Sequence, residues 1–445
     1  MPAALSPAPP NILFVFTDQH RWDWVGYEGR VPVRTPNLDR LAARGVAFSG
    51  CRGASPMCAP SRACLAAGVR YGRCRVADNR ADADPALPTF MQSLRAAGYR
   101  VAMCGKSDLH KRSHLHGRYG WSSFLGRMGF TDTLDHAGHR DSAAVAGRSE
   151  PIEPYLAFLH EHGLAETVLE DWERRRRHDE DGKGIAAWPC PHGRFFQIDD
   201  FTGRAALGLL DRLPAGQPWF LQVNFSGPHP YFDACRELLD RYDGVAFPEP
   251  ADAPPSAHDH QAIRRSYAAK IEGIDDWIGW IRDAVERRGE SDRTLFAFSA
   301  DHGEMLGERG LWDKGQPHDG SVRVPLAVSG SGVDAGRWSD APVETIDLAA
   351  TFVEAAGAEP PSGWDSRSLW PLLSGGARRT RPVAESAFGD WRLRTDGRWK
   401  LIERAAAAPE LFDLWNDRAE RHDVADRHPR IVDRLTSTRR RHPSD

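Results

Sequence analysis

Cys58-Ala59-Pro60-Ser61-Arg62 couples a thiol to a fixed cation within five residues. The spacing predicts a nucleophile ahead of a helix start, with Pro60 where its missing N–H does no harm and Ser61 able to cap. Arg62 beside the free N–H groups of a first turn makes a place for a tetrahedral oxyanion. A structural cysteine before an ordinary helix would use the same five residues, so the motif needs partners. Asp18, Gln19, Asp301 and His302 supply them. These residues combine hard oxygen donors with one imidazole, a set suited to a divalent cation. Two acids side by side without a cation would repel.

Two short apolar runs must deliver these groups. NILFVFTD, 11 to 18, and TLFAFS, 294 to 299, read as buried strands, the first ending on Asp18 and the second running into Asp301-His302-Gly303-Glu304. Open α/β sheets place their ligands at such strand ends. Strands at 99–104, 218–225 and 324–328 alternate with helices at 36–44, 88–97, 201–212, 260–288 and 346–356, the pattern of a mainly parallel sheet covered on both faces. Pro88 and Gly98 bound one of these helices, and Ile271, Ile274, Ile278 and Ile281 mark the apolar face of the longest. The stretch 111–195 shows no strand rhythm and reads as an irregular insertion near the site entrance. After Ser374-Gly375-Gly376, WRLRTDGRWKLI and ELFDLW suggest antiparallel strands, the first pair joined at Asp396-Gly397. The division expected is an α/β catalytic domain over 1–375 and a small α+β subdomain over 376–445.

Taken in order, NILFVFTD, TPNLDRLAARGVAF (35–48), CAPSR, GKSDLH, SGPHP, SADHGE, WDKG and ELFDLWNDRAERHDVAD (410–426) resemble the sulfatase family of the alkaline phosphatase superfamily over nearly the whole length. The pattern is nearest to its choline-sulfatase and phosphonate monoester hydrolase branches. The resemblance implies an alkaline-phosphatase-like fold and one divalent ion held by Asp18, Gln19, Asp301, His302 and the residue at 58. Calcium is the family default, and the nitrogen donor leaves Mn2+, Mg2+ or Zn2+ open. It also implies that Cys58 is oxidised by a formylglycine-generating enzyme to Cα-formylglycine. A hydroxyl of the hydrated aldehyde would attack sulfur, and the second would let sulfate leave as the aldehyde re-forms.

Further roles come with the same resemblance. Lys106 and Lys314 would hold the anion's oxygens, and His229 would protonate the leaving oxygen or hold the ester. Asn79 is a candidate for substrate binding, with His110, Asp108 and His318 as weaker ones. Gln19 departs from the paired acids common at the first strand. The expected activity is hydrolysis of sulfate monoesters. A phosphonate monoester or phosphodiester hydrolase on the same scaffold is the rival, against which Lys106 argues, because that branch tends to carry a neutral aromatic residue there. A non-catalytic binder of sulfated ligands is the third reading, and it predicts an unmodified thiol at Cys58.

Composition fits these readings and excludes others. With 445 residues and 41% apolar content the chain can bury one large core and an appendage. A net charge of −4 with scattered basic residues gives no nucleic-acid footprint, and the run 174–177 reads as a solvated helix face. No stretch reaches membrane-spanning length. MPAALSPAPP has neither a basic region nor an apolar one, so no secretory signal is read and a cytoplasmic location is expected. Seven cysteines without zinc-type spacing favour reduced thiols. The alcohol half of the ester is not readable from the chain, and a homo-oligomer is left open.

Overall fold

The computed structural model describes residues 9–146, 153–178, 185–255 and 258–437. Most of the N-terminal stretch read for a signal, and the parts 147–152 and 179–184 of the expected insertion, lie outside the described residues. Eight strands form the main sheet. Across it they run Asp132–Asp135, Arg100–Gly105, Trp219–Pro228, Asn11–Asp18, Thr294–Ala300, Leu326–Gly330, Gly45–Phe48 and Arg337–Ser339. The first five are mutually parallel, whereas Leu326–Gly330 is antiparallel to both of its neighbours.

Asn11–Asp18 lies in the middle, and its side chains alternate between two cores. Ile12, Phe14 and Phe16 pack with Phe90 and Phe352 on one face, under the helices Cys58–Ala67, Phe90–Ala96 and Asp347–Ala355. Leu13 and Val15 pack with Leu209 and Ile278 on the other, under Pro36–Ala43, Ile198–Arg212 and His260–Arg287. Burial on both faces is why the strand reads as a continuous apolar run. Each buried Phe contributes roughly 2 kcal/mol by leaving water. Of the isoleucines on the long helix, Ile274, Ile278 and Ile281 face the sheet, while Ile271 joins a neighbouring cluster with Trp24 and Tyr267.

The helix expected from Pro88 begins after Thr89. Thr89 Oγ1 accepts the Gln92 N–H at 3.2 Å and Gln92 Oε1 accepts the Thr89 N–H at 3.1 Å, a reciprocal cap that leaves Pro88 outside. The stretch 111–195 is a larger correction. It carries the helices Ser123–Arg127, His139–Val145, Pro154–Glu161 and Ala165–His178, and its Asp132–Asp135 segment is an edge strand of the main sheet. DTLD holds a single apolar residue because an edge strand is half exposed, so it lacks the alternation that betrays a strand. The later helices form their own small core around Tyr155, Leu159 and Trp172.

Near the C-terminus, Ala384–Phe388, Trp391–Thr395, Trp399–Arg404 and Glu410–Asp413 make an antiparallel sheet. Asp396 and Gly397 occupy the turn between the second and third strands, with Gly397 at φ 99°. This sheet is tied to the main body where Lys400 Nζ donates to Asp319 Oδ1 at 3.0 Å. All seven cysteines are free and buried.

Candidate active site

Cys58 is the first residue of the helix Cys58–Ala67, not a residue ahead of it, and Pro60 sits inside the first turn. No neighbouring side chain caps this helix. Asn79 does so from a distance, its Oδ1 accepting the Ala59 N–H at 3.0 Å. Ser61, expected to cap, instead donates its hydroxyl to the Asp301 carbonyl at 2.7 Å, which pins the helix to the tip of the Thr294–Ala300 strand. Arg62 lies beneath the site. Its Nε donates to Asp301 Oδ2 at 2.9 Å, its Nη1 to the Lys106 carbonyl at 2.5 Å, and its Nη2 is 3.5 Å from Asp18 Oδ2. The arginine therefore neutralises the acids rather than presenting itself openly to an anion.

Asp18, Cys58, Asp301 and His302 converge, with one donor atom from each lying within 4.8 Å of the others. His302 Nδ1 donates to the Gly303 carbonyl at 3.0 Å, because a carbonyl can only accept. In the neutral ring that leaves Nε2 as a lone pair facing two carboxylates, at 3.7 Å from Asp18 Oδ1 and 3.6 Å from Asp301 Oδ1. Those separations exceed a hydrogen bond and match neighbouring ligands around one ion with bonds of roughly 2.0–2.5 Å. The residues fit a divalent cation. Burial would push His302 down, but Asp301 pulls it up to about 8: without an ion, the acids favour a positive charge here as a proton on the ring. Gln19 reaches the edge of this cluster. Its Oε1 accepts from Lys314 Nζ at 2.8 Å, and its Nε2 donates to Asp313 at 2.9 Å and to Glu304.

Two ammonium groups flank the thiol. Lys314 Nζ is 3.1 Å and Lys106 Nζ 3.9 Å from Cys58 Sγ. Lys106 also pairs with Asp18 and, at 3.3 Å, with Asp108. Gly105 lets this strand end approach its neighbour: at φ 91°, a Cβ there would meet the Asn224 carbonyl at 1.9 Å. Burial and Asp18 raise the Cys58 thiol, yet Lys106, Lys314 and His302 outweigh them and hold it below its ordinary value. Burial also works against the Asp18 carboxylate, and the cations around it, Lys106 first, reverse that, keeping it well below the usual range. His229 is held well down, first by burial and then by Lys314. Its Nδ1 donates to the Pro230 carbonyl at 2.6 Å, so the neutral ring has no proton on Nε2 to give.

Cys58, Asn79, Lys106, His229 and Lys314 share the wall of one cavity of about 260 Å3. His110 does not line it. His110 is buried beside Asp135 and His116, whose nitrogens lie 2.7 and 2.8 Å from the same oxygen, Asp135 Oδ2. This trio resembles a second ion site by composition, but the Leu115 N–H donates to His110 Nδ1 at 3.0 Å. That bond places the ring proton on Nε2, 2.7 Å from Asp135 Oδ2, so the ring presents an N–H there and not the lone pair of a metal ligand. Asp135 Oδ1 in turn accepts the Ser107 N–H at 2.9 Å, so the trio fixes the loop that carries Lys106. Asp108 holds Lys106 and Lys111, and His318 lies 3.4 Å from Glu420. Lys111, His139, Arg140, Asp141, Ser226 and Asp313 also line the cavity and were not picked out from the sequence. Asp313 sits in the WDKG motif and was findable; Arg140 and Asp141 lie in the stretch that showed no periodicity.

A buried thiol at a helix start, flanked by ammonium groups and backed by carboxylates at the tips of parallel strands, fits an alkaline-phosphatase-like hydrolase of tetrahedral oxyanion esters. The chain belongs to the sulfatase family, whose Sulfatase model matches residues 10–358. A second model, N-sulphoglucosamine sulphohydrolase, C-terminal, matches 307–439. Among relatives, the choline-sulfatase of Rhizobium meliloti (strain 1021) is 29% identical over 98% of this chain and 86% of its own. The multifunctional alkaline phosphatase superfamily protein PehA of Trinickia caryophylli is 30% identical, covering 93% of this chain and 91% of its own. The solved phosphonate monoester hydrolase of Agrobacterium radiobacter superposes with a TM-score of 0.78 at 24% identity, over 97% of this chain and 94% of that one, a likeness of fold.

Proposed function

We propose that this protein hydrolyses sulfate monoesters to an alcohol and inorganic sulfate, with Cys58 oxidised to Cα-formylglycine and one divalent cation held by Asp18, Asp301, His302 and the modified residue. The observation that carries the reading is the pair of ammonium groups 3.1 and 3.9 Å from Cys58 Sγ, set in front of the acid cluster. Bound there, the ion would polarise the sulfate oxygens and the aldehyde hydrate, which supplies both the attacking hydroxyl and the one that lets sulfate leave.

The chain's own residues do the rest. Lys314 and Lys106 bind the sulfate's oxygens as point charges and are already in place before substrate arrives, so no reorganisation is needed when charge shifts. Arg62 holds Asp301 and the loop after Gly105 in register, keeping both strand tips close. His229, kept neutral and with its Nδ1 proton on the Pro230 carbonyl, offers only an Nε2 lone pair, so it holds the ester by accepting a hydrogen bond rather than protonating the leaving oxygen. Asn79 fixes the first turn of the nucleophile's helix.

The rival is a phosphonate monoester or phosphodiester hydrolase, which the solved relatives of the same fold keep in view. Initial rates on 4-nitrophenyl sulfate and phenyl phosphonate monoesters, measured side by side on enzyme co-produced with a formylglycine-generating enzyme, decide between them. A higher kcat/KM on the sulfate is expected; a clear preference for the phosphonate reverses the assignment.

A further inference from the structure

We infer that the alcohol half of the substrate carries a second anionic group, a carboxylate or a second sulfate, received by Arg140. The inference rests on the sulfate-ester reading and extends it to the leaving alcohol. Arg140 lies on the helix His139–Val145 and lines the cavity that holds Cys58. Four cationic side chains face that cavity, Lys106, Lys111, Lys314 and Arg140, against the carboxylates of Asp141 and Asp313.

The three lysines already have polar partners. Lys106 pairs with Asp18 and Asp108, and Lys111 with Asp108 at 3.0 Å and with Asp141. Lys314 is tied to Gln19 and lies 4.0 Å from Asp313. Arg140 differs. Its Nη2 is buried without a hydrogen-bond partner, and among the described residues no carboxylate forms an ion pair with it. Its guanidinium lies 5.9 Å from the centre of the Tyr231 ring.

A buried guanidinium donor left without an acceptor is costly, and an oxyanion supplies the acceptor in the geometry the planar fork prefers. A sulfate monoester brings one negative charge, which the lysines beside Cys58 receive. Arg140 is then available to a second. The same wall disfavours a quaternary ammonium alcohol: none of the described lining residues is Phe, Tyr or Trp, so the aromatic surfaces that recognise such cations are missing, and the fixed charges repel.

The test uses the full-length protein carrying the unmodified thiol, so that binding is read without turnover. Dissociation constants for phenyl sulfate, 4-carboxyphenyl sulfate, 1,4-phenylene disulfate and choline sulfate are measured by calorimetry on wild type, Arg140→Gln and Arg140→Lys. Wild type should bind one or both dianionic esters about tenfold more tightly than phenyl sulfate, and choline sulfate least well. Arg140→Gln should bring that ratio close to one, and Arg140→Lys should restore part of it. The inference is overturned if wild type shows no preference, or if Arg140→Gln weakens all four ligands equally, which would place the arginine on the scissile sulfate. Preferred binding of the dianions with no sulfate released by the aldehyde form would retire the sulfate-ester reading and leave the Arg140 site standing.

Discussion

Lys314 Nζ stands 3.1 Å from Cys58 Sγ and is steered there by an amide, donating to Gln19 Oε1 at 2.8 Å. A carboxylate in place of Gln19 would hold the lysine as well, but it would also cancel its charge. The neutral amide orients the ammonium and leaves its field for the incoming anion. Gln19 in turn is anchored by Glu304 and by Asp313 at 2.9 Å, so SADHGE and WDKG cooperate on a single lysine.

Replacing Lys314 with Ala should therefore lower kcat/KM for an aryl sulfate by about 10²–10³. Gln19→Leu should cost less, since the charge remains but its position loosens. Steady-state kinetics on both variants check the order; equal losses would show that Gln19 acts on more than the lysine.

Asn79→Ala removes the only side-chain acceptor found for the first turn of the helix Cys58–Ala67 among the described residues. A stability loss of about 1 kcal/mol is expected. Urea unfolding measures it, and a fall in kcat with little change in KM should accompany it, because the nucleophile's own backbone is displaced.

His136 provides a pH signature away from the reaction centre. It is buried, with Nδ1 2.7 Å from the Ala137 carbonyl and Nε2 2.7 Å from Thr202 Oγ1, and burial pushes it down from 6.5 to about 4. Between those values the unfolded chain binds a proton that the folded chain refuses. The contribution to stability is thus complete above pH 6.5 and is lost as pH falls toward 4, up to about 3 kcal/mol. Unfolding free energies between pH 4 and 7.5 should fall with acid in wild type and fall less steeply in His136→Gln.

Dialysis against a chelator should abolish sulfate release, and adding back a divalent ion should restore it. Elemental analysis should find the ion in wild type and lose it in His302→Gln, whose ring lone pair is gone. Full activity in protein shown to be free of divalent metal would contradict the ion site.

The sheet was legible because NILFVFTD and TLFAFS are buried on both faces and nothing interrupts their apolar run. Asp132–Asp135 was not, since an edge strand half open to water needs few apolar residues. The same holds for the site. Asp18, Cys58, Lys106, His229, Asp301, His302 and Lys314 sit in motifs, and the fold draws them together at the strand tips. His110 shares a motif with Lys106 yet turns inward to Asp135, a direction set by the Leu115 N–H that spacing does not encode. Arg140 belongs to no motif, and its significance lies in a buried Nη2 without a carboxylate partner among the described residues.

The central claim is tested most directly by plotting the rate of sulfate release from 4-nitrophenyl sulfate against the fraction of chains bearing an aldehyde at position 58, read by mass spectrometry of the peptide containing it. Preparations made with graded amounts of the formylglycine-generating enzyme supply the range. The rate should rise in proportion to the aldehyde fraction, on a line through the origin. A thiol-only preparation that releases sulfate as fast as a converted one would contradict the account.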